Sequence, residues 1–322
     1  MTGIPWQGLG KLHTLHQSLV VRQCPARNYG LVIFAADNGI SRYGTSYYPP
    51  MHSHLLVDLH LRGCAPTACL LARLEKEEII VDMGLAHPLP PKSIIDHNIR
   101  PGSRDFLQGD ALVAGEVIAA LEGGRSIWEE ISGRKFDILG VGEIGIADTL
   151  CAAALTTAIT GLSPVIYTGK GSGSGKAIAR KTDIICRALK QRRPDSGSVL
   201  DLLSRFGGLE IAGLTGFISR APEQGIPIML DGYVTSVAAL LASLIDQRVR
   251  DYLIAPSQGD EAGHKPVLNR LGLDYIFDLN MNHGEGLAAV LGLSLAALVE
   301  DFYKETIDNN ADFNGLTRVD IE

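Results

Sequence analysis

A segment rich in glycine and lysine, TGKGSGSGKAIARK over residues 168–181, carries the clearest chemistry in this sequence. Glycines let backbone N–H groups approach an anion closely, and a helix beginning near Lys176 adds the positive end of its dipole. The segment therefore predicts a phosphate-binding loop. The alternative is an ordinary surface loop with solvated lysines.

The two commonest nucleotide-binding patterns do not fit this segment. A Walker A loop needs glycine at position 170 and Ser or Thr at position 177, where this chain has Lys170 and Ala177. The dinucleotide-binding pattern G-x-G-x-x-G fails because Ser174 stands at its third glycine. The sequence thus indicates neither an ATPase loop nor a Rossmann dehydrogenase.

Two glutamates stand where a carboxylate could act on a ligand. Glu143 follows an apolar run in GVGEIGIADTL, and Glu285 lies between two glycines where a helix is predicted to begin. Each has a structural alternative, because Glu143 could cap a helix and Glu285 could simply favour a helix N-terminus. As functional groups, Glu143 would contact a ligand and Glu285 would be a base.

The histidines and cysteines do not indicate a metal site. No carboxylate or cysteine pattern completes a site with His52, His54 and His60, and the five scattered cysteines lack a CxxC pair. That cysteine pattern is typical of reduced thiols. The sequence predicts neither a metal nor a cofactor.

Short apolar runs alternate with helical patterns along the chain. Nearly continuous apolar runs that end on polar or glycine residues are typical of parallel strands buried on both faces. Strands are predicted over 31–37, 78–84, 137–143, 164–169, 226–232 and 251–257. Helices are predicted over 111–122, 147–160, 176–191, 233–245 and 286–303. This alternation predicts an α/β fold with a three-layer, Rossmann-like parallel sheet.

In such a sheet the carboxyl ends of the strands meet at one edge, where ligands bind. The polar residues expected there are Asp37, Glu143, Thr168, Asp231 and Ser257. Two further segments, 88–109 and 191–206, are predicted to be surface connections.

The composition limits the classes of partner. The formal net charge is -7 and no basic run occurs, which argues against nucleic acid as the main partner. The longest apolar run, 287–299, is too short to span a bilayer, and the N-terminus does not resemble a signal peptide. We expect a cytoplasmic protein without a membrane partner.

Taken together, eleven short segments resemble the nicotinate-nucleotide:dimethylbenzimidazole phosphoribosyltransferase family, which activates the lower ligand of cobamides. They follow the family's order over roughly 30–300, and the ordered set is specific. The segments are FAADNG (34–39), YP (48–49), RGCAP (62–66), VGEIGIADT (141–149), TGKGSGSG (168–175), ARK (179–181), GGLEIAG (207–213), GIPIMLDGYV (225–234), EAGH (261–264), LGLDYIFDLNM (271–281) and GEG (284–286).

The resemblance implies that the ribose phosphate of nicotinate mononucleotide is transferred to an aromatic base and nicotinate is released. Nicotinate leaves as a neutral ring nitrogen, so one general base suffices. By resemblance that base is Glu285. The implied acceptor-base pocket comprises Glu143, Tyr47, Leu55, Ile144 and His283. The implied nucleotide and phosphate contacts are Thr168, Gly169, Gly171, Ser172, Gly173, Lys181, Asp231 and Ser257.

The chain departs from the family pattern around the implied acceptor pocket. Tyr47 and Leu55 stand where the family usually has small or polar side chains, and Asn282-His283 replaces Arg-Leu before GEG. These differences indicate an altered acceptor, with a benzimidazole, a purine and a phenol as candidates.

The resemblance also implies an organisation of domains and subunits. It implies a parallel α/β nucleotide-binding domain over 31–285 and a small helical subdomain built from 1–30 and 286–322. Because family members dimerise, we expect a homodimer or a heterodimer with a paralogue. The alternative function is a non-catalytic or partner-dependent nucleotide-binding subunit, although retention of Glu285, Glu143 and the glycine loop argues against it.

Overall fold

The computed structural model describes residues 6–90 and 94–310, which form a parallel sheet with helices on both faces. Within this part of the chain the strands are β1 (Tyr29–Ala36), β2 (Glu77–Gly84), β3 (Ile95–Asp96), β4 (Ile138–Ile144), β5 (Ile228–Met229), β6 (Leu253–Ser257) and β7 (Tyr275–Phe277). Their spatial order is β3-β2-β1-β4-β5-β6-β7, and every neighbouring pair is parallel. This order is that of a doubly wound Rossmann sheet, so the predicted fold class is confirmed.

The helices divide between the two faces of the sheet. In chain order they are α1 (Lys11–Val21), α2 (Ser53–Leu61), α3 (Pro66–Arg73), α4 (Ala114–Ile131), α5 (Asp148–Thr160), α6 (Gly175–Gln191), α7 (Val199–Phe206), α8 (Leu209–Ser219), α9 (Ala221–Gln224), α10 (Tyr233–Ile245), α11 (His264–Leu271) and α12 (Leu287–Asn310). Helices α4 to α11 contribute to one hydrophobic core, and α1, α2, α3 and α12 contribute to the other.

Strand β1 shows why the apolar runs are continuous. All eight of its residues are buried. Val32 and Phe34 belong to the core under α4 to α11, while Leu31 and Ile33 belong to the core under α12. Successive side chains of a strand point to opposite faces, so a sheet covered on both faces needs apolar residues at every position.

The predicted strand at 164–169 is wrong. Residues Pro164–Ile166 form a 3-10 helix, and Val165 and Ile166 are exposed. The sheet has no place for this segment, because β4 pairs directly with β5. The other five predicted strands are confirmed, although 226–232 contains only the two residues of β5. Sequence reasoning missed β3 and β7.

The predicted helices are confirmed, with shifted ends, while the two predicted surface connections are wrong. Segment 88–109 contains β3 and the buried side chain of Phe106. Segment 191–206 contains α7, in which Leu202, Leu203 and Phe206 are fully buried. Both segments contain many charged and proline residues, so their sequence pattern is that of a surface loop although several of their apolar side chains are buried.

The terminal segments pack on each other within the described residues. On α1, His13 Nδ1 lies 2.7 Å from the hydroxyl of Tyr303 on α12, and His16 Nδ1 lies 2.8 Å from Glu300 Oε1. Helix α12 also packs directly on the sheet, since Leu293 belongs to the core below β1. Residues 1–5 and 311–322 of the predicted subdomain lie outside the described residues, and the division into domains stays a prediction.

One stretch, Ser53–Arg73, is long and apolar enough by length and composition to cross a membrane. It consists of two helices, α2 and α3, separated by residues 62–65. A membrane span needs about 20 consecutive helical residues. Since Val57 and Leu71 are buried in the core beside α12, the stretch is part of the packed fold.

We expect the contact between α4 and α8 to tolerate no side chain at Gly124. A methyl group there would stand 1.9 Å from the backbone carbonyl oxygen of Gly213 on α8. Gly124→Ala should therefore lower the free energy of unfolding by about 1–3 kcal/mol through overpacking. The matched control is Gly115→Ala in the same helix, where nothing lies within 4 Å. It should leave stability unchanged or raise it by up to about 1 kcal/mol. Equal urea-denaturation midpoints for the two variants would show that a methyl group at position 124 does not overpack the contact between α4 and α8.

Candidate active site

A cleft of about 360 Å³ opens at the carboxyl end of the sheet. It lies beside the point where the strand order reverses between β1 and β4, which is where doubly wound sheets bind ligands. Its volume suits a small molecule. The predicted site residues that line it are Glu143, Ile144, Gly171, Ser172, Lys181, Asp231, Ser257, His283 and Glu285.

Two residues predicted for the acceptor pocket do not line this cleft. Tyr47 is 77% exposed and Leu55 is 49% exposed, while their neighbours Tyr48 and Leu56 line the wall. On α2 the inner face carries Val57, and Leu55 points to the outer face. We therefore assign this part of the wall to Tyr48 and Leu56.

Three residues predicted to contact the nucleotide also lie outside the lining. The hydroxyl of Thr168 donates a hydrogen bond to the carbonyl of Pro164 at 2.7 Å, which closes the turn that replaces the expected strand. Gly169 packs against the carboxylate of Glu261, and Gly173 packs against the backbone of Thr45. These residues shape the loop whose next positions, Gly171 and Ser172, reach the cleft.

Strand β4 delivers one carboxyl group into the cleft and α5 delivers a second. Glu143 at the end of β4 and Asp148 at the start of α5 share a hydrogen bond between their side chains. Burial raises the pKa of Glu143 well above its ordinary value, and the negative charge of Asp148 raises it further. Burial also raises the pKa of Asp148. A hydrogen bond between two carboxyl groups requires one proton, and a pair that holds it lets Glu143 donate as well as accept hydrogen bonds.

A further buried glutamate stands behind this pair. Glu210 on α8 is fully buried and accepts a hydrogen bond from Asn38 Nδ2 at 2.9 Å. Burial raises the pKa of Glu210 to about 8. A carboxyl that is neutral at pH 7 reduces the negative charge that would otherwise accumulate near Glu143.

Asp231, which follows β5, is engaged by the backbone that leads into α12. One oxygen, Oδ2, accepts from the N–H of Gly286 at 3.0 Å. The other, Oδ1, accepts from the N–H groups of Ala288 at 2.7 Å and Ala289 at 3.3 Å. Burial raises the pKa of Asp231 to about 6 although these hydrogen bonds oppose the rise. Asp231 thus caps α12 at its N-terminus. Its predicted contact with the nucleotide is a separate role and stays a prediction.

The segment that carries Glu285 has an uncommon backbone. Gly284, Glu285 and Gly286 all have positive φ, at 75°, 58° and 80°. A side chain at Gly286 would also meet Leu31 of β1 at 2.6 Å. Three successive left-handed residues cannot continue a helix or strand, so the segment depends on contacts such as those of Asp231.

Two histidines lie close to the carboxylate of Glu285. Its Oε2 lies 2.9 Å from Nε2 of His60 and 3.5 Å from Nε2 of His283. His60 is fully buried, and its other nitrogen, Nδ1, lies 2.7 Å from Oε1 of Glu78. Glu285 is therefore paired with a histidine on α2 that the sequence did not connect to it.

A buried lysine also lines the cleft. Lys181 on α6 is 2% exposed, and its ammonium donates to the hydroxyl of Thr149 at 3.0 Å. Burial lowers the pKa of Lys181 although the nearby carboxylates of Glu261 and Asp148 oppose this effect. Glu261 Oε1 accepts from the N–H of Gly171 at 2.7 Å, and its buried Oε2 has no hydrogen-bond partner among the described residues. The Lys181 ammonium therefore has N–H groups left for an anion, whereas the N–H of Gly171 is occupied by Glu261.

Sequence reasoning missed several residues of this site. Asp148 lies five positions after Glu143 at the next helix start, so the reasoning that found Glu143 could have reached it. His60 shares one face of α2 with Ser53 and Val57, at the i, i+4, i+7 spacing of a buried stripe. That signal depends on recognising α2, which the sequence analysis did not predict.

Three further histidines, His52, His54 and His87, form a group outside the cleft lining. The rings of His52, His54 and His87 lie within 5.5 Å of one another. Across the described ranges no set of three histidine, cysteine, aspartate or glutamate side chains is arranged to hold a metal ion.

Comparisons with known proteins assign the chain to a family. A phosphoribosyltransferase family profile matches residues 2–311. The nicotinate-nucleotide–dimethylbenzimidazole phosphoribosyltransferase of Roseiflexus sp. (strain RS-1) is 36% identical over 297 residues, which are 90% of this chain and 84% of that protein. The enzyme of the same name from Chloroflexus aggregans is 37% identical over 267 residues, which are 82% of this chain and 76% of that protein. The chain belongs to this phosphoribosyltransferase family.

A solved structure agrees with this assignment. The crystal structure of CobT from Thermus thermophilus superposes with a TM-score of 0.88 at 30% identity, and it covers 94% of this chain and 92% of that one. The family resemblance found in the sequence is thus confirmed, and the chain is a pentosyltransferase. Glu285, Glu143 and the glycine loop lie around one cleft in this family member.

We expect Asp231→Ala to loosen the segment that carries Glu285. The change removes the acceptor for three backbone N–H groups, and loss of a helix cap alone costs about 1 kcal/mol. The free energy of unfolding should fall by about 2 kcal/mol or more, because buried N–H groups are left unpaired. Hydrogen exchange should accelerate at the amides of Gly286 and Ala288. The control Asp274→Ala removes an exposed carboxylate and should change neither measurement. Unchanged exchange at Gly286 would show that Asp231 does not hold the segment.

Proposed function

We propose that this chain transfers the phosphoribosyl group of nicotinate mononucleotide to an aromatic base and releases nicotinate, for assembly of the nucleotide loop of cobamides. The observation that carries the proposal is that one cleft contains both the carboxylate of Glu285 and the buried ammonium of Lys181. The relatives named above carry this activity in their names.

The charge distribution of the cleft suits this reaction. As the bond between ribose and pyridinium breaks, positive charge develops on the ribose carbon. The Glu143–Asp148 pair carries about one negative charge when it shares a proton, and Asp231 adds negative charge beside it. Such fixed charge stabilises the developing cation in a site where little water competes.

Two groups are available for the acceptor base. Glu285 is the proposed general base that takes the proton from the attacking nitrogen or oxygen. Glu143 is the proposed orienting group, because a carboxyl that shares a proton can either donate to a ring nitrogen or accept from an N–H. The apolar side chains of Leu56 and Ile144 complete this part of the wall.

The phosphate is proposed to bind in the part of the cleft lined by Lys181. An ammonium has three N–H donors, and Thr149 is the hydrogen-bond partner of one of them. Ser172, which also lines the cleft, adds a hydroxyl donor. The carboxylate of Glu261 accepts from the N–H of Gly171. A phosphate that enters this part of the cleft would either displace that carboxylate from the loop or bind beside it.

The proposal also covers the location, the oligomeric state and the substrates of the enzyme. We infer a cytoplasmic protein that acts as a homodimer or as a heterodimer with a paralogue, with nicotinate mononucleotide and a benzimidazole, purine or phenol as substrates. The alternative, a non-catalytic or partner-dependent subunit, would bind nicotinate mononucleotide without turnover.

The first test is release of nicotinate. The purified protein is incubated with nicotinate mononucleotide and with 5,6-dimethylbenzimidazole, benzimidazole, adenine or phenol, and nicotinate is measured by chromatography. We expect release that depends on the acceptor. Binding of nicotinate mononucleotide without release with any acceptor would favour the non-catalytic alternative.

Glu285→Gln should separate catalysis from binding. The amide keeps the shape of Glu285 but cannot take a proton, so kcat should fall by about a hundredfold or more. The dissociation constant for nicotinate mononucleotide, measured by calorimetry, should change less than threefold. The control Glu305→Gln changes a glutamate near the far end of α12 and should keep full activity. A fall in kcat of less than tenfold at Glu285 would exclude it as the general base.

Lys181→Met should act on binding instead. It removes the buried charge but keeps most of the side-chain volume, so the nucleotide loses a charge-assisted hydrogen bond worth about 1.5–3 kcal/mol. The dissociation constant for nicotinate mononucleotide should rise by roughly ten- to a hundredfold. The control Lys176→Met removes an exposed lysine from the same helix and should have little effect. Equal affinities of the two variants would exclude Lys181 from the phosphate site.

A further inference from the structure

A buried histidine links Glu285 to a glutamate outside the cleft. His60 Nε2 lies 2.9 Å from Glu285 Oε2, and His60 Nδ1 lies 2.7 Å from Glu78 Oε1. The His60 side chain is completely buried, while Glu78 and Glu285 are each 14% exposed. Neither His60 nor Glu78 lines the cleft, so any effect they have on a ligand passes through Glu285.

The geometry determines how many protons the imidazole carries. Both ring nitrogens of His60 face carboxylate oxygens at hydrogen-bond distance. A neutral imidazole has one N–H, so its second nitrogen would turn a lone pair towards a carboxylate. Only the imidazolium donates to both partners. Burial by itself opposes that charge, but the hydrogen bonds to Glu285 and Glu78 outweigh it and raise the pKa of His60 to about 9.

We propose that the Glu78–His60 pair is a positioning device for Glu285, holding Oε2 so that Oε1 is presented to the proton of the acceptor base. This inference rests on the proposed function, in which Glu285 is the general base. Among the described residues no hydrogen bond engages Oε1, and Glu285 lines the cleft. His60 holds the side chain of the central residue of a strained segment, and Glu78 holds His60.

Other charged groups face this pair and do not replace it. His283 approaches Glu285 Oε2 at 3.5 Å, but its side chain is 34% exposed and is screened by solvent. Asp148 lies close enough to Glu285 for the negative charge of Glu285 to raise the pKa of Asp148, and it offers Glu285 no positive charge. On the side of β2 the group that faces His60 is Glu78. His60 is therefore the buried cation that holds Glu285.

This arrangement makes activity depend on pH through His60. When pH rises through about 9, His60 loses its second proton and can donate to one carboxylate only. Glu285 is then held in a smaller fraction of molecules, and kcat should fall. The same proton stabilises the fold, and that contribution is present at low pH and lost through the same range. Circular dichroism must therefore confirm that the protein stays folded up to pH 10.

The decisive variant is Glu78→Gln, which leaves the cleft untouched. The amide still accepts from Nδ1 but no longer holds the charge of His60, so the alkaline fall of kcat should begin at least one pH unit lower. At pH 6 both kcat and KM should stay within twofold of wild type. The matched control is Glu77→Gln, the preceding residue on β2, which pairs with Arg134 at the surface and should leave the profile unchanged. Identical profiles of Glu78→Gln and Glu77→Gln would overturn the proposal.

The histidine itself is tested by His60→Gln. Glutamine can keep a neutral donor towards Glu285 but cannot serve both carboxylates, so kcat should fall by about tenfold or more with KM within twofold. The alkaline fall assigned to His60 should disappear. The control His97→Gln removes a surface histidine paired with Glu130 and should behave as wild type. If His60→Gln fails to fold, Glu78→Gln decides alone.

A direct measurement separates this inference from the proposed function. Nitrogen-15 NMR of histidine-labelled protein reports whether both ring nitrogens of His60 carry protons, and the His60→Gln or Glu78→Gln spectrum assigns its signals. We expect an imidazolium at pH 7 that titrates at a lower pH in Glu78→Gln. A neutral His60 ring at pH 7 would overturn the positioning device even if the enzyme is active. Absence of nicotinate release from an imidazolium-containing wild type would instead refute the proposed function, and with it the role of the pair in catalysis.

Discussion

The hydrogen bonds that Asp231 accepts from Gly286, Ala288 and Ala289 hold together the part of the molecule on which its chemistry depends. They join the carboxyl end of β5 to the start of α12. The segment before α12 cannot be held by regular hydrogen bonding, because three successive residues have positive φ. A buried carboxylate that accepts from several N–H groups satisfies donors that no carbonyl can reach. The direction in which Glu285 leaves the backbone follows from this anchor.

Carboxyl groups near this anchor favour their neutral forms, which limits the negative charge around Asp231. Burial and the charge of Asp148 raise the pKa of Glu143, and burial raises the pKa of Glu210 to about 8. If all of these groups were ionised, their repulsion would destabilise the end of the sheet. Protonation converts them into hydrogen-bonding groups instead. Glu285 differs from them because a buried cation, His60, faces it. The fold thus separates carboxyl groups that bind from the carboxylate proposed to take a proton.

Sequence patterns predicted the features that depend on neighbouring residues. The parallel sheet followed from continuous apolar runs, and Glu143, Glu285 and Lys181 followed from glycine-rich motifs and the family resemblance. The run at 164–169 failed because an apolar run does not show whether a neighbouring strand is available to pair with it. The contact of His60 with Glu285 joins residues separated by 225 positions, and only the packing of α2 beside β1 and β4 creates it. No local pattern contains that information.

The same limit applies to the acceptor wall, where a shift of one residue changes the chemistry. Tyr48 and Leu56 line the cleft, and Tyr47 and Leu55 face away from it. An apolar and aromatic wall favours any planar ring and distinguishes poorly between rings of similar size. Glu143 adds little discrimination either, because a carboxyl that shares a proton can donate or accept. Selection among a benzimidazole, a purine and a phenol must then rest on the shape of the cleft and on the reach of the atom that faces Glu285. The enzyme should accept several rings whose nucleophilic atoms fall at that one position.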